Sequence, residues 1–348
     1  MLYFASDYQE GAHPAVLRAL VETNLEHTAG YGEDPYCRSA REKIRRACGC
    51  PEAAVYFLVG GTQTNATVID AMLRSYEGVV AAETGHIATH EAGAIEFGGH
   101  KVLTLPGRDG KLDAGDLRGY LEANRTDGNR DHMVHPALVY LSQPTELGTL
   151  YSLGELTEIH RACRDFGLRL YVDGARLSYA LASGENDVTL EDLCRLTDVF
   201  YIGGTKCGAL FGEAVVAPDP AALPHFFTII KQHGALLAKG RVLGVQFDAL
   251  FTGGLYESIG RSAVAAADRI RAALEKAGIP QAFVCSTNQV FPLLEDSRAE
   301  ALQQQVAASF WEKPDPAHTI LRLAASWATT EEEVAALERT VFQLGMRN

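Results

Sequence analysis

Short apolar runs alternate with helix-like stretches from residue 55 to residue 217, and this alternation constrains the fold more than any other feature. Val55–Val59 ends at Gly60 and Gly61, and Thr62–Tyr76 then carries Val68, Met72 and Leu73 at helical spacing. Val79–Ala82, Lys101–Leu105 and Ala137–Leu141 read as further strands. Leu153–Phe166 reads as a helix closed by Gly167. Leu168–Val172, Asp198–Ile202 and Ala214–Ala217 complete the set. Apolar strands separated by helices predict an α/β fold with a mostly parallel sheet covered on both faces. Ligands of such sheets sit beyond the carboxyl ends of the strands.

After about residue 245 the pattern changes. Tyr256–Gly278 predicts a long Ala-rich helix. Short strands at Ala282–Cys285 and Val290–Leu294, a helix, a strand around Ile320–Leu323 and a final helix are expected to follow. The expected division is residues 1–245 as an N-terminal arm and large domain, and residues 246–348 as a small α+β domain. A chain of 348 residues is long for one core and short for three domains.

Charge narrows the partners. The chain has 31 basic and 44 acidic residues, a net charge of -13, and no basic run. That is a poor match for a nucleic-acid backbone. No stretch approaches the ~18 apolar residues of a membrane span. Met1–Asp7 lacks the charged and apolar regions of a secretory signal, so a cytoplasmic protein is expected. The seven Cys form no CxxC, and Cys48-Gly49-Cys50 is too short for a zinc ribbon. His86 and His90 stand at i, i+4, but His90-Glu91-Ala92-Gly93-Ala94 fails the H-E-x-x-H pattern. Reduced thiols and no metal site are the expectation.

Three turns carry candidate chemistry, each just past an expected strand. Gly60-Gly61-Thr62 opens a helix, where backbone N–H groups and the helix dipole favour an anion. Asp173-Gly174-Ala175-Arg176 places a carboxylate where it could keep a cationic ring nitrogen protonated. Gly203-Gly204-Thr205-Lys206-Cys207-Gly208 sets a lysine among small residues, where partial burial makes an amine nucleophilic. Each alone is compatible with a plain surface turn. Together, in this order, they converge on one edge of the sheet.

These residues, with further segments nearly end to end, resemble the threonine aldolase and β-eliminating lyase family. The further segments are Ser6-Asp7 with His13-Pro14, Tyr31-Gly32-Glu33-Asp34-Pro35, His86 with Glu91 and Gly93, and Asp109-Gly110-Lys111-Leu112. The resemblance implies the fold of aspartate aminotransferase (fold type I) and pyridoxal 5′-phosphate (PLP) as a Schiff base on Lys206. It implies that Asp173 pairs with the ring nitrogen and that Arg176 approaches the 3-oxygen. His86 would stack on the ring and assist proton transfer. Gly60, Gly61, Thr62 and Thr205 would hold the phosphate, and Lys231 would reach the phosphate of a neighbouring subunit. Ser6, Thr145 and Arg322 would bind substrate, with Ser6 and Arg322 on its carboxylate. A homodimer or homotetramer is implied as well.

One departure bears on the reaction. Gln143-Pro144-Thr145-Glu146-Leu147-Gly148 places Glu146 where the family has a second histidine. Glu146 is therefore expected as a base or as a group that orients water. The reaction implied is cleavage of a β-hydroxy-α-amino acid, of threonine, allo-threonine or phenylserine type, to glycine and an aldehyde. β-Elimination, racemisation or transamination on the same scaffold, and a non-catalytic PLP-binding protein, remain as alternatives.

Overall fold

The computed structural model describes residues 1–345. β1 (Leu2–Tyr3) opens the chain. A seven-stranded central sheet follows. It is built from β2 (Ala54–Leu58), β3 (Glu77–Ala82), β4 (Lys101–Leu105), β5 (His135–Ser142), β6 (Arg169–Asp173), β7 (Val199–Gly203) and β8 (Glu213–Ala217). The spatial order is β2-β8-β7-β6-β5-β3-β4. β8 runs antiparallel to both its neighbours, and the other pairings are parallel.

The expected strands lie under these seven, because a strand buried on both faces must be apolar along its whole length. β7 and β8 are buried at every position. Alternate residues feed two cores. On one face Tyr140, Tyr171, Tyr201 and Val215 pack against Val68, Ile69 and Met72 of the helix Gly61–Met72. On the other, Val139, Val172, Phe200 and Val216 pack against Leu156, Ile159 and Tyr256.

Register places the edge that matters. Ser142 is opposite Asp173, and Gly203 is opposite Glu213, which is opposite Leu58. The last residues of β2, β5, β6 and β7 therefore meet the first residue of β8 at one end of the sheet.

The C-terminal part holds β9 (Gln289–Val290), β10 (Leu293–Glu295), β11 (Val306–Ala307), β12 (Ser309–Asp315) and β13 (His318–Ala324). β10, β13 and β12 form an antiparallel sheet in that order, and β9 also pairs with β13. β1 pairs in parallel with β11, and Phe4 joins the core of Ile270, Leu321, Leu323 and Leu337. The start of the chain thus packs into the C-terminal sheet.

Three local expectations fail. The strand expected at Val290–Leu294 is split at Phe291 and Pro292 into β9 and β10. Ala282–Cys285 is not a strand: one isolated bridge joins Gln281 to Pro292. Its partner would be the stretch Val290–Leu294, and Pro292 there has no N–H to extend a ladder. The helix expected to reach Tyr76 stops at Met72, with Leu73 extended. The Glu77 carboxylate accepts the Arg74 N–H at 2.8 Å and the Glu77 N–H bonds back to the Arg74 carbonyl at 2.8 Å, which turns the chain into β3.

Candidate functional site

The two loops that carry Asp173 and Lys206 press backbone against backbone. A Cβ on Gly174 would lie 2.1 Å from the carbonyl oxygen of Tyr201, so only glycine allows this approach. The Tyr179 hydroxyl donates to the Lys206 carbonyl and fixes that loop. The Lys206 side chain ends 5.9 Å from the centre of the Tyr8 ring. Burial lowers its amine pKa, and the nearby positive charge of Arg176 lowers it further, against opposing pulls from Asp7, Asp173 and Glu213. The lowered pKa favours the neutral amine, which is the nucleophilic form.

Asp173 ends β6 and is buried. Its Oδ2 accepts from Tyr140 Oη at 2.7 Å and from Asn65 Nδ2 at 2.9 Å, and its Oδ1 accepts the Ala175 N–H at 2.9 Å. Asn65 Nδ2 also donates to Glu91 Oε1 at 2.7 Å, and that oxygen bonds to His86 Nδ1 at 2.8 Å. The Tyr171 hydroxyl donates to Asn65 Oδ1 at 2.8 Å. Burial pushes the Glu91 carboxyl pKa up. The chain from Asp173 through Asn65 and Glu91 fixes the His86 ring and leaves Nε2 as its other polar atom.

Glu146 serves the same histidine. Its Oε1 accepts the His86 backbone N–H at 3.0 Å and the Ser142 hydroxyl at 2.7 Å. Burial raises its carboxyl pKa. Thr145 is tied into its own loop, with Oγ1 at 2.6 Å from Thr149 Oγ1.

One cavity gathers Lys206, Asp173, Arg176, His86, Glu146, Gly61 and Thr205 of the expected set. Ser142, Tyr201 and Glu213 line it too, and none of these three was legible as a site residue. Gly60, Thr62, Thr145, Ser6, Arg322 and Lys231 do not line it. Gly60 caps the helix Gly61–Met72 with no side-chain hydrogen bond, so the first N–H groups of that helix have no acceptor within it.

Arg176 makes a bidentate pair with Asp7, Nε to Oδ2 at 2.6 Å and Nη2 to Oδ1 at 3.0 Å. This leaves Nη1 for the cavity. Arg322 donates to the Ala5 carbonyl at 3.1 Å, beside Ser6, and its Nε is buried with no partner among the described residues. Its guanidinium lies 5.7 Å from the Trp311 ring centre. Lys231 lies over the Tyr31 ring at 4.8 Å, on the helix Phe226–Gln232.

The donor set fits PLP. A nucleophilic amine and a buried carboxylate share the cavity. Tyr201 Oη is buried with no partner among the described residues, and a Cβ on Gly61 would lie 3.2 Å from it. An unsatisfied buried hydroxyl beside a helix N-terminus is what an anionic group would complete.

Comparison with known proteins agrees. The low specificity L-threonine aldolase of Pseudomonas aeruginosa is 32% identical, over 97% of this chain and 96% of that protein. That of a Pseudomonas species is 31% identical over 87% of each. The solved structure of Leishmania major threonine aldolase superposes with a TM-score of 0.96 at 42% identity, covering 99% of this chain and 100% of that one. Thermus thermophilus aspartate aminotransferase shares the fold at a TM-score of 0.71 and 16% identity. The β-eliminating lyase family model matches residues 4–323, and the chain belongs to that family.

Proposed function

We propose that this protein is a PLP-dependent lyase that cleaves β-hydroxy-α-amino acids of threonine type to glycine and an aldehyde. The observation that carries the reading is the meeting of Lys206, Asp173 and His86 in one cavity at the carboxyl edge of the sheet. Its relatives of similar length bear the name L-threonine aldolase.

When bound through Lys206, PLP supplies an electron-accepting pyridinium. Asp173 would pair with the ring nitrogen and keep it protonated. The helix start at Gly60, Gly61 and Thr62 would hold the phosphate with Thr205 and Tyr201. Arg176 would offer Nη1 to the 3-oxygen. Arg322, with Ser6, would bind the substrate carboxylate and so orient the bonds at Cα. His86 Nε2 takes the proton of the β-hydroxyl while Glu91 holds the ring. Glu146 stands in the second histidine's place, but its bonds to His86 N–H and Ser142 make it an orienting group for His86. Thr145 acts by fixing the same loop.

Three broader expectations belong to the same proposal. Residues 1–245 form the N-terminal arm and the large domain and residues 246–348 the small one, supported by the seven-stranded sheet lying wholly in the first and the β10-β13-β12 sheet wholly in the second. A homodimer or homotetramer is supported by the exposed Leu17, Val21, Leu25 and Phe227, and by Lys231 standing outside its own chain's cavity. A cytoplasmic setting is supported by seven free cysteines. No helix among the described residues is long and apolar enough to cross a membrane.

The test is product analysis. Purified protein given PLP and L-threonine yields glycine and acetaldehyde in equal amounts. Ammonia and an oxo acid without glycine would move the assignment to β-elimination. No visible band after PLP addition would overturn the cofactor.

Arg322→Gln is expected to raise KM for the amino acid about 10- to 100-fold with a smaller change in kcat, since a hydrogen bond to a charged group contributes about 1.5–3 kcal/mol. Steady-state kinetics decide it. An unchanged KM would remove Arg322 from the carboxylate site.

A further inference from the structure

Glu213 is the one titratable residue lining the cavity to which the proposed chemistry gives no task. It is the first residue of β8, buried, with both oxygens engaged. Oε2 accepts the Gly204 N–H at 3.0 Å and Oε1 accepts the Thr205 hydroxyl at 2.7 Å. Thr205 Oγ1 in turn accepts the Gly212 N–H at 3.0 Å. In this arrangement the only proton of Thr205 points at Glu213, so Thr205 has nothing to donate to a phosphate. An ionised carboxylate one hydrogen bond from that phosphate would also repel it.

Protonating Glu213 resolves both conflicts. A neutral carboxyl donates from Oε1 to Thr205 Oγ1, while Oε2 still accepts from Gly204. Thr205 Oγ1 then accepts from Glu213 and Gly212, which fills its two lone pairs, and turns its own proton into the cavity. We propose that Glu213 is a positioning residue which must carry a proton for a phosphate monoester to seat beside Thr205. The proposal rests on the assignment of this cavity to PLP.

The surroundings fit a carboxyl that changes state. The titratable groups that interact electrostatically with it are Lys206 and Cys207 in the loop after β7, Asp173 and Tyr171 on β6, Tyr201 on β7, and Tyr256 on the helix Leu255–Lys276. Lys206 is the one cation among them. Burial pushes the Glu213 carboxyl up to about 8, with Asp173 adding to the rise and Thr205, Gly204 and Lys206 opposing it. A bound phosphate raises it further. Affinity for the phosphate is then full below about pH 8 and falls as pH rises through that value, up to about tenfold per pH unit.

The experiment compares PLP with pyridoxal, which forms the same bond to Lys206 without a phosphate. Cofactor-free protein is titrated with each by calorimetry at pH 9, in two buffers of different ionisation enthalpy. Affinities are also measured at pH 7.5 and 9.5, well above the second phosphate pKa of about 6. PLP is expected to take up about one more proton than pyridoxal, and its advantage in affinity to shrink about tenfold or more between the two pH values. In Glu213→Gln the amide donates to Thr205 permanently, so the extra proton vanishes and the advantage stays flat with pH. In Thr205→Val the advantage is small at every pH and no extra proton is taken up, whatever the fate of the Gln variant. Equal proton counts in the wild type, with PLP still preferred, would overturn the proposal. PLP bound no better than pyridoxal in the wild type would instead overturn the assignment of the cavity.

Discussion

Lys206→Ala is expected to lower turnover by a factor of at least about 10³, and to abolish the visible band that PLP gives with the native protein. The size follows from two roles in one side chain. On the proposed reading Lys206, the amine in the cavity, bonds the cofactor and also returns the product. The site prepares it for both. Its loop is fixed by Tyr179, and burial with the Arg176 charge favours the neutral amine. Lys206→Arg is expected to fail nearly as badly, because a guanidinium stays charged and is not a nucleophile. Absorption spectra and single-turnover rates check this, with circular dichroism to confirm the fold. A Lys206→Ala protein that kept its band, or a tenth of native turnover, would remove Lys206 from the chemistry.

The sequence makes most of this cavity readable because its parts are local. Asp173 and Lys206 each follow an apolar strand directly, so order along the chain predicts their place on the sheet edge. The helix Leu153–Phe166 has the expected bounds because its ends are written in the chain. Ser152 and Glu155 form a capping box, and Gly167 adopts a left-handed conformation at φ 74°.

What the sequence hides is long-range. Glu213 begins a strand, and a residue beginning a parallel strand would lie at the far edge. It reaches the cavity only because β8 is antiparallel, which no local pattern reveals. Tyr140, Tyr171 and Tyr201 look like core aromatics, and they are buried. The Tyr140 and Tyr171 hydroxyls nonetheless bond Asp173 and Asn65, and that of Tyr201, beside Gly61, has no partner among the described residues. Asn65 and Glu91 link Asp173 to His86 across 108 and 26 residues of sequence separation, measured from Asn65. Such partners are set by packing.

Asp7→Ala is expected to destabilise the fold by about 3–5 kcal/mol, the effect of removing one member of a buried ion pair. Asp7 is 1% exposed. It accepts two hydrogen bonds from Arg176 and one from Asn288 Nδ2 at 2.8 Å. It therefore joins the N-terminal arm, the loop after β6 and the turn before β9. Alanine would leave the Arg176 guanidinium buried without its counter-charge. The carboxyl pKa shows the balance of forces. Burial acts to raise it, but the charges of Arg176 and Lys206 and the hydrogen bonds win, and it falls from 3.8 to about 2. That difference corresponds to about 2 kcal/mol. Because the folded value is the lower one, this contribution is present above about pH 3.8 and is lost as pH falls through about 2. Urea unfolding at neutral and acid pH measures both effects. The arm also carries Ser6 and the Ala5 carbonyl that holds Arg322, so KM for the amino acid should rise in Asp7→Ala. Asp7→Leu combined with Arg176→Met should cost less than the two single changes added, since no lone charge remains. Additive losses, or a single loss below about 1 kcal/mol, would show that this pair does not tie the arm to the site.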